Sequence, residues 1–250
     1  MKKILVIGDS CFDLYIYCIT AKFCPDAPVP VLNPIKTISS LGMAGNVVDN
    51  LKNLGLEVDF ITNKELIKKT RYVDSRTNHM FLRIDEGETD MSRISKSILK
   101  NINWEEYNAI IVSDYCKGFL TEEDIRYISL QHSLTFLDTK KQLNEFAEDF
   151  TFIKINEFEY NETKLTINSN LHEKLIVTLG SKGARLKTKI YPVKQVDVKD
   201  TSGAGDTFLA GLVYDYLLNS DINRSINFAN QCASQVVQKK GTAKINVNEL

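Results

Sequence analysis

Short apolar runs recur along the chain, and stretches with helical spacing lie between them. Ile4–Ile7, Val58–Ile61, Ala109–Val112, Thr135–Leu137, Thr151–Ile155 and Leu175–Thr178 are rich in Val, Ile or Phe and are bounded by Gly, Asp, Asn or Ser. These features predict buried strands. Residues 46–54, 92–101, 122–131, 203–218 and 222–238 carry the spacing of helices. Strand and helix in alternation predict an α/β fold, a mainly parallel sheet flanked by helices. Two regions break the alternation. Residues 11–40 hold four of the five prolines and predict an irregular extended flap. Residues 69–85 predict two strands around an Arg-Thr-Asn turn. Together they suggest a small β-lid over the open edge of the sheet. With no internal repeat or linker, residues 1–250 read as a single domain with lid elements near 11–40 and 69–85.

Composition narrows the function classes. The formal net charge is −1, from 31 basic and 32 acidic residues among 250. So even a balance gives no electrostatic reason to expect nucleic acid or a membrane surface as partner. The cysteines at 11, 18, 24, 116 and 232 are odd in number and form no Cys-x-x-Cys pair, which favours reduced thiols and a cytoplasmic location over a disulfide framework. The N-terminal apolar run stops at Gly8-Asp9, too short for a signal peptide.

The chemistry concentrates in Asp200-Thr-Ser-Gly-Ala-Gly-Asp206-Thr, where a glycine-rich turn runs straight into an apolar helix. Gly203, Ala204 and Gly205 let backbone amides approach a ligand closely. A helix N-terminus there offers free N–H groups and a partial positive charge to a phosphate. Asp206, beside this anion hole, suits a general base that takes the proton of an attacking hydroxyl. A plain helix start, capped by Thr201 or Ser202, accounts for the same residues. No Gly-x-x-x-x-Gly-Lys-Ser/Thr run exists, which disfavours a P-loop enzyme, and Gly8-Asp9 lacks the glycine pattern of a nicotinamide site.

On these residues the chain resembles the ribokinase-like (PfkB) carbohydrate kinases, whose C-terminal signature is Asp-Thr-x-Gly-Ala-Gly-Asp. The resemblance implies a ribokinase-like fold, ATP as phosphoryl donor and Mg2+ as cofactor. Asn156-Glu-Phe-Glu159 is similar to the family's Asn-x-x-Glu motif, which implies that Asn156 and Glu159 help position the ATP phosphates and that Glu159 contacts the metal through water. Thr178, Gly180 and Gly183 match the nucleotide-binding turn, and Asn230 falls where the family borders the adenine. Helix capping, an ordinary hairpin turn and core packing explain the same residues without a ligand.

The N-terminal half is similar to one branch, the D-glycero-β-D-manno-heptose 7-phosphate kinases, through Gly8-Asp9, Asp13-Leu-Tyr, Cys24-Pro-Asp-Ala-Pro-Val-Pro-Val31, Gly42-Met-Ala-Gly-Asn46-Val, Thr70-Arg-Tyr-Val-Asp-Ser-Arg76, Leu82-Arg-Ile-Asp85 and Ser113-Asp-Tyr-Cys-Lys-Gly118. This implies a sugar-phosphate acceptor, held by Asp9, Asp13, Gly42 and Asn46 at its hydroxyls and by Arg71, Arg76 and Lys117 at its phosphate, with Arg83 secondary. Carboxylates and an amide fix several hydroxyls at once, and arginines grip phosphate oxygens in pairs. A different acceptor (a ketose, pentose or nucleoside) and a non-catalytic binding protein of the same fold remain alternatives. Met43 stands where the family has a second glycine, the stretches 61–70 and 161–172 are short, and the chain ends soon after Gly241-Thr-Ala, so no fused nucleotidyltransferase is expected within it. Lid strands of the family pair between subunits, which implies a homodimer through the lid.

Overall fold

The structure, a computed structural model, describes residues 2–89 and 91–249. In chain order the elements are β1 (Lys3–Gly8), β2 (Ser10–Phe23), β3 (Pro30–Met43), α1 (Ala44–Asn53), β4 (Glu57–Ile61), β5 (Lys68–Asp74), β6 (Met80–Glu86), α2 (Lys96–Lys100), β7 (Ala109–Asp114), α3 (Glu122–Ser129), β8 (Thr135–Thr139), β9 (Phe152–Asn156), α4 (Glu157–Thr163), α5 (Ser169–Lys174), β10 (Leu175–Thr178), β11 (Ala184–Leu186), β12 (Lys189–Tyr191), α6 (Ala204–Asn219) and α7 (Ile222–Val236). All six predicted strands are present. They form the parallel centre of an eight-stranded sheet in the order β12-β11-β10-β9-β8-β7-β1-β4, with β11 and β12 antiparallel at one edge.

The apolar runs are continuous because both faces of the sheet are covered. Ile4 and Val6 of β1 face one core with Val47 of α1, Phe208 and Leu212 of α6 and Ile226 of α7. Leu5 and Ile7 face the other with Ile125 and Ile128 of α3 and Leu171 of α5. The parallel strands share one carboxyl edge, and β1 lies where the chain switches from building one side of the sheet to the other. Clefts of such folds open at that edge.

The lid is a four-stranded sheet, β3-β2-β5-β6. Residues 11–40 are therefore not an irregular flap. They form most of a regular hairpin of two 14-residue strands. The prolines that suggested irregularity occupy places where a ladder loses nothing. Pro25 and Pro28 lie in the connection, Pro30 opens β3, and Pro34 lies where the register shifts between Tyr17 and Cys18. The predicted helix over 92–101 shrinks to Lys96–Lys100, with Ser95 accepting a hydrogen bond from the Ser97 amide. Among the described residues no helix is long and apolar enough to cross a membrane.

Candidate active site

Helix α6 begins at Gly203 in a left-handed conformation (φ 77°), and no side chain caps it. Thr201 and Ser202 do not perform the capping that a plain helix start requires. The Ala204 amide bonds back to Thr201 O at 3.2 Å, so the amides of Gly205 and Asp206 lead into the first turn with no side-chain partner. The glycines are dictated by what surrounds them. A Cβ on Gly203 would stand 2.5 Å from Asn46 Nδ2, and one on Gly205 would stand 2.9 Å from Lys154 Nζ.

Asp206 is 4% exposed. Its Oδ2 accepts from Asn46 Nδ2 at 3.0 Å and its Oδ1 from the Tyr115 hydroxyl at 2.5 Å. Burial pushes its carboxyl up to about 6, against the two hydrogen bonds and Lys154, which lower it. A carboxylate poised there is charged near neutral pH and basic enough to accept a proton. Behind it, Asn50 Nδ2 donates to Asn46 Oδ1 at 3.1 Å, and the Ile245 amide donates to Asn50 Oδ1 at 2.9 Å. Asn46 is thus a fully buried link that orients Asp206.

Two cavities flank this centre. One, of about 530 Å³, is bordered by Tyr115, Lys140, Asn156, Gly180, Gly205 and Asp206. The other, of about 200 Å³ and mostly apolar, is lined by Thr178, Gly180, Gly183, Asn230, Ala233 and Val237 among others. Both share Gly205, Thr178 and Gly180, so a polyanion at the α6 N-terminus and a flat base beyond it would occupy adjoining space. Asn230 is buried and donates to Tyr191 O at 2.9 Å. Asn156 caps α4 by accepting from the Glu159 amide, while Glu159 accepts from the amide and the Nδ2 of Asn156 (2.8 and 2.7 Å) and pairs with Lys140. The helix cap coexists with a place at the cleft for Asn156, while Glu159 touches the cavity wall through Lys140.

On the lid side, Asp13 and Arg71 form an ion pair, and a Cβ on Gly42 would stand 2.3 Å from Asp13 Oδ2. Lys117 and Lys69 both pair with Glu88, at 2.6 and 3.2 Å. Pairing places Lys69 directly across from Asp13. Two predicted contacts are reassigned. Asp9 is 0% exposed, and its Oδ2 accepts from the amides of Tyr115 (2.7 Å) and Lys117 (3.5 Å), so it fixes the 114–119 turn and has no surface for a sugar hydroxyl to reach. Arg76 projects from the β5–β6 turn, largely exposed and paired with Asp74, and joins neither cavity. Sequence reasoning missed Tyr115, Lys69, Lys140 and the buried ion pair of Lys154 with Asp138 (2.7 Å). Tyr115 lay within the Ser113–Gly118 run already singled out; the lysines carried no local signal.

Comparison with known proteins fits this geometry. Residues 68–248 match the model of the pfkB family carbohydrate kinases. The chain belongs to that family. Among relatives it is similar to the bifunctional protein HldE of Aliarcobacter butzleri (31% identity, 99% of this chain, 63% of the relative) and of Helicobacter acinonychis (30%, 100% and 66%). The chain thus spans less than two thirds of these relatives' length. Its fold is similar to that of Thermotoga maritima ribokinase (TM-score 0.70, 16% identity, 97% of this chain and 95% of that one) and of Arabidopsis thaliana ribokinase complexed with ribose and ATP (0.68, 17%, 98% and 97%). The match places the chain among the pfkB carbohydrate kinases, and its fold is ribokinase-like α/β.

Proposed function

We propose that this pfkB kinase transfers the γ-phosphoryl group of ATP to O1 of D-glycero-β-D-manno-heptose 7-phosphate, giving the 1,7-bisphosphate. The observation that carries the acceptor assignment is the cationic lid wall. Lys69, Arg71 and Lys117 converge beside Asp13 in a chain whose overall charge is nearly zero. The segments shared with the heptose kinases run through the same wall, and the HldE relatives match along the whole chain.

In this mechanism Asp206 takes the proton of the acceptor hydroxyl. The freed oxygen forms a bond to the γ-phosphorus as the bond to the ADP oxygen breaks. The Gly205 and Asp206 amides, with Lys154 beneath Gly205, offset the charge on the transferred group. Asn156, Thr178, Gly180, Gly183 and Asn230 would hold ATP across the two cavities. Mg2+ fits this donor set only as a water-retaining ion. Among the described residues no three acidic, His or Cys groups gather around a metal position, and Glu159 is engaged with Asn156 and Lys140. That matches an ion bound mainly by phosphates and water, and when bound it neutralises phosphate charge.

A second reading, an acceptor without a phosphate, draws on the fact that Arg71 and Lys117 already have carboxylate partners. A turnover panel separates the two. Heptose 7-phosphate should give a kcat/KM far above that of unphosphorylated sugars. Arg71→Ala should lower it roughly 10- to 100-fold, as expected for loss of a charge-assisted contact of about 1.5–3 kcal/mol, while sparing any unphosphorylated acceptor. Equal losses on both acceptor types would sink the phosphate role.

We also propose a homodimer through the lid. By register, Phe12, Leu82 and Ile84 share the outer face, and all three are exposed. Sedimentation should show a dimer for the wild type and a monomer for Leu82→Glu/Ile84→Glu; a monomeric wild type refutes it.

A further inference from the structure

Both oxygens of Asp206 are engaged. Each oxygen accepts one hydrogen bond and keeps a lone pair, but at 4% exposure the carboxylate leaves an acceptor hydroxyl no room to approach unless one of the two donors moves aside. Asn46 is a poor candidate to leave. It sits on α1 with 0% exposure, its amide also reaches Gly203 O at 3.4 Å, and Asn50 holds its oxygen. Tyr115 differs. It stands just past the end of β7 in the 114–119 turn, borders the 530 Å³ cavity, and has no hydrogen bond through its hydroxyl other than that to Asp206 among those observed. Its backbone is fixed by Asp9, and the next residue, Cys116, turns with φ 59°. Moving the hydroxyl off Asp206 therefore requires only a side-chain rotation, with the main chain left in place.

We propose that the Tyr115 hydroxyl is a displaceable cap on the base: it holds Oδ1 of Asp206 in the acceptor-free enzyme and yields that position to the acceptor hydroxyl. The cap does two things. It supplies a hydrogen bond to a buried carboxylate that would otherwise lose one partner, and it keeps water from occupying the base. Tyr115 is then a positioning residue whose bond is broken when the complex forms. Its ring packs against the cluster of Cys11, Met43 and Ile67. Met43, at the family's second glycine, takes a conformation (φ 59°, ψ −135°) that side chains rarely enter, and its side chain is buried in that cluster. This departure gives the Tyr115 ring a wall where a glycine would leave space.

Charges facing Asp206 also shape its titration. Asp138 on β8 raises it and Lys154 on β9 lowers it, while Lys140 after β8 and Cys11 on β2 lie within its field. None of them is altered by the change Tyr115→Phe, which keeps the ring and removes only the hydroxyl. The inference rests on Asp206 being the base, and the two ideas fail separately: an active Asp206→Asn enzyme refutes the base, whereas the outcomes below refute the cap.

The experiment pairs a carbon-13 carboxyl titration of Asp206 in acceptor-free protein with pH profiles, using whichever sugar the turnover panel phosphorylates. In Tyr115→Phe the Asp206 midpoint should rise. The acid limb of kcat/KM, which reports free enzyme, should move up with it. The acid limb of kcat, which reports the ternary complex, should stay in place. KM for the acceptor should fall several-fold and KM for ATP should not change. A 3-fluorotyrosine at 115, a stronger donor, should shift the midpoint and the kcat/KM limb the opposite way. An unmoved Asp206 midpoint overturns the cap, and so do the two limbs moving together, since Tyr115 would then stay on Asp206 through turnover.

Discussion

Replacing Asp206 by Asn is expected to lower kcat by about 10²- to 10⁴-fold, the usual contribution of a positioned general base, with ATP affinity and thermal stability near wild type. The geometry explains why the fold should tolerate the change. The introduced amide can present its oxygen to Asn46 Nδ2 and its NH2 to the Tyr115 oxygen, which can accept, so both contacts of the carboxylate have neutral counterparts. The contacts proposed for the nucleotide lie on other residues of the two cavities and on the backbone amides of the turn. What is lost is only the capacity to take a proton.

The same carboxyl fixes the pH dependence. Burial raises it to about 6, and with Asp206 as the proposed base the ionised form is the one expected to act. Activity expressed as kcat/KM should therefore be flat above about pH 7 and fall tenfold per pH unit well below 6. Steady-state kinetics with purified protein check both results. An Asp206→Asn enzyme with more than a tenth of wild-type kcat, or one that keeps the acid limb, would show that another group removes the proton.

How much of this was visible in the chain depends on the range over which each signal acts. The central strands announced themselves because they are buried on both faces, while β4, a half-exposed edge strand, did so through its Val-Asp-Phe-Ile run; Asp200–Thr207 did so because a turn of small residues entering an apolar helix is rare and contiguous. The antiparallel strands β11 and β12, three residues each, are too short for any periodicity to register. The lid hairpin was obscured by prolines whose harmless placement only pairing reveals. Asp9 was read as a sugar contact from its type and neighbours, yet it fixes a turn, because burial is decided by elements far away in sequence. Lys154 shows the same limit most clearly. Within Phe-Ile-Lys-Ile-Asn it is a lone charge in a strand predicted to be buried, and nothing local indicates that β8 lies alongside with Asp138.

That buried pair makes the second large prediction. Lys154 and Asp138 are both almost wholly inaccessible, and the Lys154 ammonium donates to Asp138 Oδ2 at 2.7 Å while Asp138 Oδ1 has no partner. Two charges out of water stabilise a fold weakly at best, but removing one leaves the other uncompensated, at a cost of about 3–5 kcal/mol. Lys154→Met should therefore lower Tm by about 6–20 °C, at roughly 2–4 °C per kcal/mol for a chain of this size. Why the pair is kept follows from position. Lys154 Nζ lies directly under Gly205, where it adds positive charge to the α6 amides proposed to meet the transferred phosphoryl group, and it lowers the Asp206 carboxyl. The double variant Lys154→Met/Asp138→Asn separates the two roles. It should recover most of the lost Tm in a thermal melt, because neither charge is then stranded. It should not recover kcat, because the anion hole still lacks its ammonium. Recovery of both would reduce Lys154 to a structural counter-ion for Asp138, and recovery of neither would mean that the strand pair depends on the lysine for packing rather than charge.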